Sequence, residues 1–360
     1  MAAGPCPGDT TEPVRRSGRR GGATGTIDPC GIMRRRRHVE DRVLEGHAVT
    51  VTGPRAASEL GVVDAHDHLL LDSLADPHAA FTDVERSIEE VTDARESGIG
   101  TIVEMTPIGL GRRPAGLRAI AEATGVAVIA SSGFHRDHHY PDDHWVHAAS
   151  VELLRDRIVA DLTTGMHPAD WHDPSLPPDP ARAGAIKGGA SYHRITRSER
   201  RRLEAIGAAS AATGAAVLVH TEIGTAGHEI VDALEAAGAR PDRIALAHLD
   251  RNPDAELHVE IAARGVTLEY DTIGRAKYHP DSVVLDLIEA VAEAGHLDRI
   301  VLGLDLGQRE YLRAYDGGPG LRYLMTAFAP RLRRRLGEDG AARVLVTNPA
   351  RLYAFPIRPA

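Results

Sequence analysis

At 360 residues, with 51 acidic against 42 basic side chains, the chain has a formal charge of −9, which gives no footing for a nucleic-acid partner. Hydrophobic residues make up 42% of it, enough for a large core, but aromatic residues only 4%, so that core is aliphatic. No apolar run reaches the roughly 18 residues that a membrane span needs, and Cys6 and Cys30 lie too near the N-terminus to staple the body, which fits a reducing cytoplasm.

Residues 1–44 are rich in Gly, Pro and Arg, with Arg15-Arg16, Arg19-Arg20 and Arg34 to Arg37, and lack apolar periodicity. They are expected to be a disordered arm without a catalytic role. No apolar stretch follows the paired arginines, so an export signal is not expected. Residues 45–360 are expected to form a single domain.

From there the chain alternates short apolar runs with longer amphipathic ones. Strands are expected at 61–66, 101–104, 126–130, 183–187, 216–220, 244–248, 266–270 and 300–305. Helices lie between them, among them 198–213, 226–237 and 281–294. Continuous apolar runs are the mark of buried parallel strands, and eight βα units point to a closed (β/α)8 TIM barrel. An open doubly wound sheet with extra units is the competing architecture. The polar residues favour the barrel: His66, Lys187, His220, His248 and Asp305 each end an apolar run. That places them on one rim, the C-terminal face where such barrels carry their chemistry.

Singly these residues say little, because a core histidine or a helix-capping aspartate is common. Together they form a set suited to divalent metal. His66 and His68 are two apart on a strand and so point to one side. Of the 42 basic residues only Lys187 and Lys277 are lysine. A lysine retained in a chain that otherwise uses arginine marks a place where a neutral amine is wanted.

In these residues the chain resembles the phosphotriesterase family of the amidohydrolase superfamily, from about residue 60 to 355. The likeness rests on His66-Asp67-His68, Ala185-Ile186-Lys187-Gly188-Gly189, Val219-His220-Thr221 and Ala247-His248-Leu249-Asp250. It continues through Gly303-Leu304-Asp305, Asp316-Gly317-Gly318-Pro319-Gly320 and Thr347-Asn348-Pro349-Ala350-Arg351. The resemblance implies a binuclear centre at the C-terminal rim, with His66, His68 and Asp305 on the more buried ion and His220 and His248 on the more exposed one. It implies a carboxylated Lys187 bridging the two, and attack by a metal-bridging hydroxide with Asp305 moving the proton. Zinc suits such a site, and Mn or Co also fit a mixed N/O donor set. Asp67 stands where the family commonly has Glu, and is expected to point away and matter little. Family members are often dimers, so a homodimer is expected.

Beyond the seventh strand, Arg275, Lys277 and Tyr278 fall within four residues of one another, a candidate clamp for phosphate or carboxylate. This segment resembles the branch of the family that hydrolyses phosphorylated sugar lactones. Arg251 and Arg309 are further candidates for the anion, and His135 is a substrate contact or a surface histidine in a His-rich loop. The organophosphate triesterases have an Asp–His relay where Arg251 and Thr272 stand here, and the loop after Asp305 looks short for a large apolar pocket. The expected function is therefore a metal-dependent lactonase for a small anionic lactone. A promiscuous aryl ester or phosphotriester hydrolase is the alternative, and a barrel that binds ligand without turnover the rival from another class. Glu104 is expected either to orient a metal-binding histidine or to pair with Arg112; Trp171 and the Pro-rich stretch 167–180 have no assigned role.

Overall fold

The computed structural model of the chain describes residues 46–72 and 80–355; the N-terminal arm, including both cysteines, lies outside them. The described chain opens with an antiparallel hairpin, β1 (His47–Thr50) and β2 (Gly53–Ala56). This hairpin precedes the first expected strand, because four-residue strands are too short for alternation to register. The hairpin leans on the barrel: Val51 N donates to Val128 O at 2.9 Å. Gly184 has to be glycine here, since a Cβ would overlap Val49 O.

Eight strands follow: β3 (Val62–Asp67), β4 (Ile99–Glu104), β5 (Ala127–Gly133), β6 (Ala185–Ala190), β7 (Ala216–Thr221), β8 (Ile244–Ala247), β9 (Thr267–Tyr270) and β10 (Ile300–Leu302). They pair in chain order and all in parallel. The ring is drawn together where Leu304 N and Asp305 N donate to His66 O at 3.2 and 2.9 Å. Gly303 permits that approach, because a Cβ there would sit 2.8 Å from His66 N and O. The architecture is the expected (β/α)8 barrel.

The helices show why they start and stop where they do. α1 (Val84–Glu96) is capped by Asp83, which accepts from Arg86 N at 3.2 Å. α2 (Pro114–Thr124) opens on proline and closes on left-handed Gly125. α3 (Val151–Thr163) is capped by Ser150. α4 (Arg197–Thr213) has a Thr196–Glu199 capping box and ends at Gly214, a reciprocal pairing that satisfies two otherwise orphaned N–H groups. α5 (Gly227–Ala236), α6 (Ala255–Ala263), α7 (Asp281–Glu293) and α8 (Ala329–Ala342) complete the outer ring.

Alternate strand residues such as Ile102, Val128, Ile186, Val217, Val219, Ile244 and Leu246 pack outward on Leu117, Ile120, Leu203, Ile206, Ile230 and Leu234 of the helices. Burying each such side chain is worth about 1.5–3 kcal/mol. The inner set is small, with Ala185, Leu218, Ala245 and Val301 in a separate cluster. Two motifs of the sequence resolve as scaffold. Asn348 Nδ2 donates to Leu297 O and Ile300 O at 2.9 and 2.8 Å, and Gly318 N and Gly320 N bond back to Glu310 O and Tyr311 O. No helix among the described residues is long and apolar enough to cross a membrane.

Candidate active site

Lys187 follows Ala185 by two residues on β6, and His220 follows Leu218 by two on β7, so period-two alternation turns both into the barrel with the small inner residues. His66 lies on β3 and His68 just beyond it. The other two stand past their strands. His248 follows β8 with φ 64°, and Asp305 comes three residues after β10 with φ 49°. The expected strand at 244–248 is shorter for that reason, since a left-handed residue leaves the ladder; the one expected at 300–305 ends earlier still, at Leu302. Such conformations cost about 1–3 kcal/mol in a non-glycine residue and persist where the surroundings enforce them.

The six side chains converge. Asp305 Oδ1 lies 3.3 Å from His68 Nε2 and 3.6 Å from His66 Nε2, and Lys187 Nζ is 3.0 Å from His66 Nε2. The rings of His66 and His248 are 5.3 Å apart, and those of His220 and His248 4.5 Å. On the far side of the rings, acceptors fix orientation: Thr106 Oγ1 at 2.9 Å from His68 Nδ1, and Asp271 Oδ1 at 2.7 Å from His248 Nδ1. Glu269 and Asp271 face His66 Nδ1 at 3.2 and 3.3 Å. Two sets of three donors lie close enough to share an ion, His66–His68–Asp305 and His66–His248–Asp271. In the second set Asp271 meets His66 at Nδ1, the nitrogen opposite the one that faces Asp305 and Lys187, and bonds His248 at Nδ1, so it acts as the orienting carboxylate.

Burial sets the protonation states. It takes His66 down to about 4 and His248 to about 3, lowers His68 and pushes His220 well below the ordinary imidazole value. Burial also lowers the Lys187 ammonium. For Asp305 burial acts the other way, but Arg275 and His248 outweigh it and hold the carboxyl well below the usual range. Neutral imidazoles beside an ionised carboxylate are what divalent metal requires of its ligands. The donor chemistry fits a binuclear site.

Above these groups opens a cavity of about 300 Å³, reached by His135, Arg251, Arg275, Lys277 and Tyr278. Tyr278, 39% exposed, is ringed by cations: Arg251 at 4.7 Å, Lys277 at 5.2 Å and Arg275 at 5.4 Å from its ring centre. Lys277 Nζ also donates to Tyr311 Oη at 2.7 Å. His135 is buried, its ring 4.7 Å from that of His220, and its Nδ1 accepts from Arg136 N. It is a cavity residue and not a surface histidine.

Four expectations need correction. Arg275 is not a free clamp, since its Nη2 donates to Asp271 O at 2.8 Å and Asp305 Oδ2 at 2.9 Å. Arg309 is exposed and stands outside the cavity lining. Glu104 takes neither expected partner: it accepts from Leu69 N and Thr106 N, while Arg112 pairs with Asp161 at 2.8 Å and Asp170 at 3.3 Å. Asp67, expected to matter little, is not idle. Its Oδ1 accepts from His68 N at 2.9 Å and Leu306 N at 3.0 Å, tying the first ligand strand to the loop of Asp305.

The phosphotriesterase family model matches residues 46–353. The chain belongs to the phosphotriesterase family. It is 34% identical over 323 residues to a phospho-furanose lactonase of Mycoplasmopsis synoviae (strain 53), covering 86% of this chain and 92% of that protein. A lactonase from Listeria monocytogenes superposes with a TM-score of 0.79 at 26% identity, over 86% of this chain and 99% of that one. The phosphotriesterase homology protein of Escherichia coli, solved with phosphate in its active site, gives 0.75 at 26% identity over 82% and 99%. As a phosphotriesterase-family member this chain is a metal-dependent hydrolase.

Several site residues of this family member escaped the sequence reading. Asp271 directly follows β9, the same position-after-strand signal that marked His248, and could have been found by it. Glu222 stands two residues after His220, and its Oε2 lies 2.9 Å from His220 Nε2. Glu269 and Thr106 are polar residues in or after apolar runs, a signal shared by many residues of no catalytic interest.

Proposed function

We propose that this chain opens a small phosphorylated sugar lactone. The observation that carries the reading is Lys277 on the Tyr278 ring, with Arg251 and Arg275 behind it paired to Asp305, making a cationic end in the cavity that also holds the histidine and aspartate donors. A phosphate dianion suits such an end, because charge-assisted hydrogen bonds from guanidinium and ammonium are stronger than neutral ones. The phospho-furanose lactonase relative and the phosphate held by the Escherichia coli homologue support the same substrate class.

His66, His68 and Asp305 would hold one divalent ion and His220 and His248 the other. Lys187, whose lowered pKa favours the free amine, would add CO2, lose a proton and place the resulting carbamate between them. Zinc is the first choice for this donor set, with Mn or Co also suited. When bound, the ions supply Lewis acidity toward the lactone carbonyl and a water activated near neutral pH.

The rest is the work of the chain. Arg251 and Arg275 hold Asp305 Oδ2 at 2.7 and 2.9 Å, keeping the carboxylate ionised and aimed. Asp305 accepts a proton from the attacking water and returns it to the ring oxygen as the carbon–oxygen bond of the ester breaks. Lys277 and Tyr278 grip the phosphate and so fix the carbonyl relative to Asp305. His135, beside His220 in the cavity lining, contacts the sugar.

The test pairs each sugar lactone with its phosphorylated form and adds an acyl-homoserine lactone and a neutral phosphotriester. Turnover confined to the phosphorylated members is expected. Equal or faster hydrolysis of the neutral compounds sinks the anion reading and leaves a binuclear hydrolase of other specificity.

A further inference from the structure

Three of the four histidines present Nδ1 to an orienting oxygen: His68 to Thr106, His248 to Asp271, and His66 to Glu269 and Asp271. His220 is the reverse. Its Nε2 is the nitrogen engaged, by Glu222 Oε2 at 2.9 Å, which leaves Nδ1 to face an ion. The Arg136 guanidinium forms an ion pair with the same carboxylate oxygen, Nη2 to Oε2 2.9 Å, so Glu222 is held from both sides.

The backbone beneath Glu222 is built to keep it there. Its carbonyl accepts from Thr225 Oγ1 at 2.7 Å, and that hydroxyl oxygen accepts from His193 N at 2.9 Å. The next residue, Ile223, has φ 53° and ψ 43° and is 44% exposed. A β-branched residue in the left-handed region is a genuine outlier. No burial of its side chain offsets a cost of about 1–3 kcal/mol. Gly224 follows, also at positive φ, against Asn252 so closely that a Cβ would lie 2.7 Å from that side chain.

We infer that Glu222, clamped by Arg136, is the positioning residue for the more exposed ion: it holds the Nε2–H tautomer of His220 and turns Nδ1 to the metal. The inference rests on the metal-site reading above. An ionised carboxylate only accepts hydrogen bonds, so it selects the tautomer that carries its proton on Nε2. Such carboxylate–histidine–metal arrangements fix the ring and raise its basicity as a ligand. The nearest rival role for a carboxylate at this place is contact with substrate hydroxyls.

The test titrates the metal-free full chain with Zn(II) and Co(II) against a chelating dye, following two equivalents and the visible spectrum of bound cobalt. Glu222→Ala is expected to weaken the second equivalent about 10–100-fold. It should leave the first within about threefold and alter the cobalt spectrum of the second equivalent only. Glu222→Gln, which keeps an acceptor oxygen, is expected to recover most of the affinity. Should the alanine variant fail to fold, Arg136→Leu removes the clamp from the other side and decides the matter by the same measurement. Unchanged affinity for the second equivalent overturns the inference, whatever happens to KM. A parent chain that binds no second equivalent overturns the metal-site reading and this inference together, whereas a different substrate touches neither.

Discussion

Arg275 Nη2 donates to Asp305 Oδ2 at 2.9 Å while the same nitrogen donates to Asp271 O, so one guanidinium joins the end of β9 to the loop after β10. Arg275 therefore serves two purposes, and its removal has two effects. Arg275→Ala is expected to lower kcat at least about 100-fold and to raise KM, because Asp305 loses the partner that most depresses its pKa. Lys277→Ala touches only the anion end. It is expected to raise KM about 10–100-fold for a phosphorylated lactone and leave kcat within a few fold. Steady-state kinetics of the two variants on matched phosphorylated and unphosphorylated lactones check this. Identical profiles for both would place Lys277 in the same role as Arg275.

Lys187 is 1% exposed, with its amine 3.0 Å from His66 Nε2. Lys187→Arg keeps a cation but has no neutral amine to carboxylate. It is expected to bind at most one ion and to lose activity by more than about 1,000-fold, with metal content read by elemental analysis. Two ions retained in Lys187→Arg would remove the lysine from the bridge.

The barrel and the convergence of His66, His68, Lys187, His220, His248 and Asp305 were legible because each residue interrupts or ends an apolar run, and strand order alone puts such endings on one rim. What was illegible depended on local geometry. Whether Arg275 faces Asp305 or the cavity turns on the path of a loop with Gly274 at φ 77°, which no spacing argument reaches. The partner of Arg112 comes from α3 and from the irregular segment that follows it, and only packing brings Asp161 and Asp170 to it. Glu222 was passed over because an acidic residue after a strand is usually a solvated one.

Asp67 shows how a residue turned away from the chemistry still shapes it. Burial, with Asp64 beside it, raises its pKa well above the usual carboxylate value. Asparagine is close in shape to aspartate, carries no charge to bury and keeps an acceptor for His68 N and Leu306 N. Asp67→Asn is expected to fold with stability within about 1 kcal/mol of the parent. Asp67→Ala leaves two buried N–H groups without an acceptor and is expected to cost about 2–4 kcal/mol. Denaturant melts of the metal-free proteins measure both; equal stabilities would mean that the β3 link to Leu306 is dispensable.

His258, fully buried on α6, accepts from Tyr270 Oη at 2.8 Å through Nδ1 and donates to Leu249 O at 3.1 Å through Nε2. That arrangement needs the neutral ring, and burial lowers its pKa to about 4. Because the folded value lies below the unfolded one, the unfolded chain takes up more protons between about pH 6.5 and 4. The stabilisation is complete above that window and lost as pH falls through it, by at most about 3 kcal/mol for a shift of this size. His258→Gln retains a donor and an acceptor but does not titrate. Its stability is expected to fall less steeply than the parent's between pH 7 and 4.5, narrowing the gap between them by about 2 kcal/mol. Other buried histidines titrate alike in both proteins and cancel in the difference, so parallel curves would show that His258 takes up its proton alike in the folded and unfolded chains and that burial does not lower its pKa.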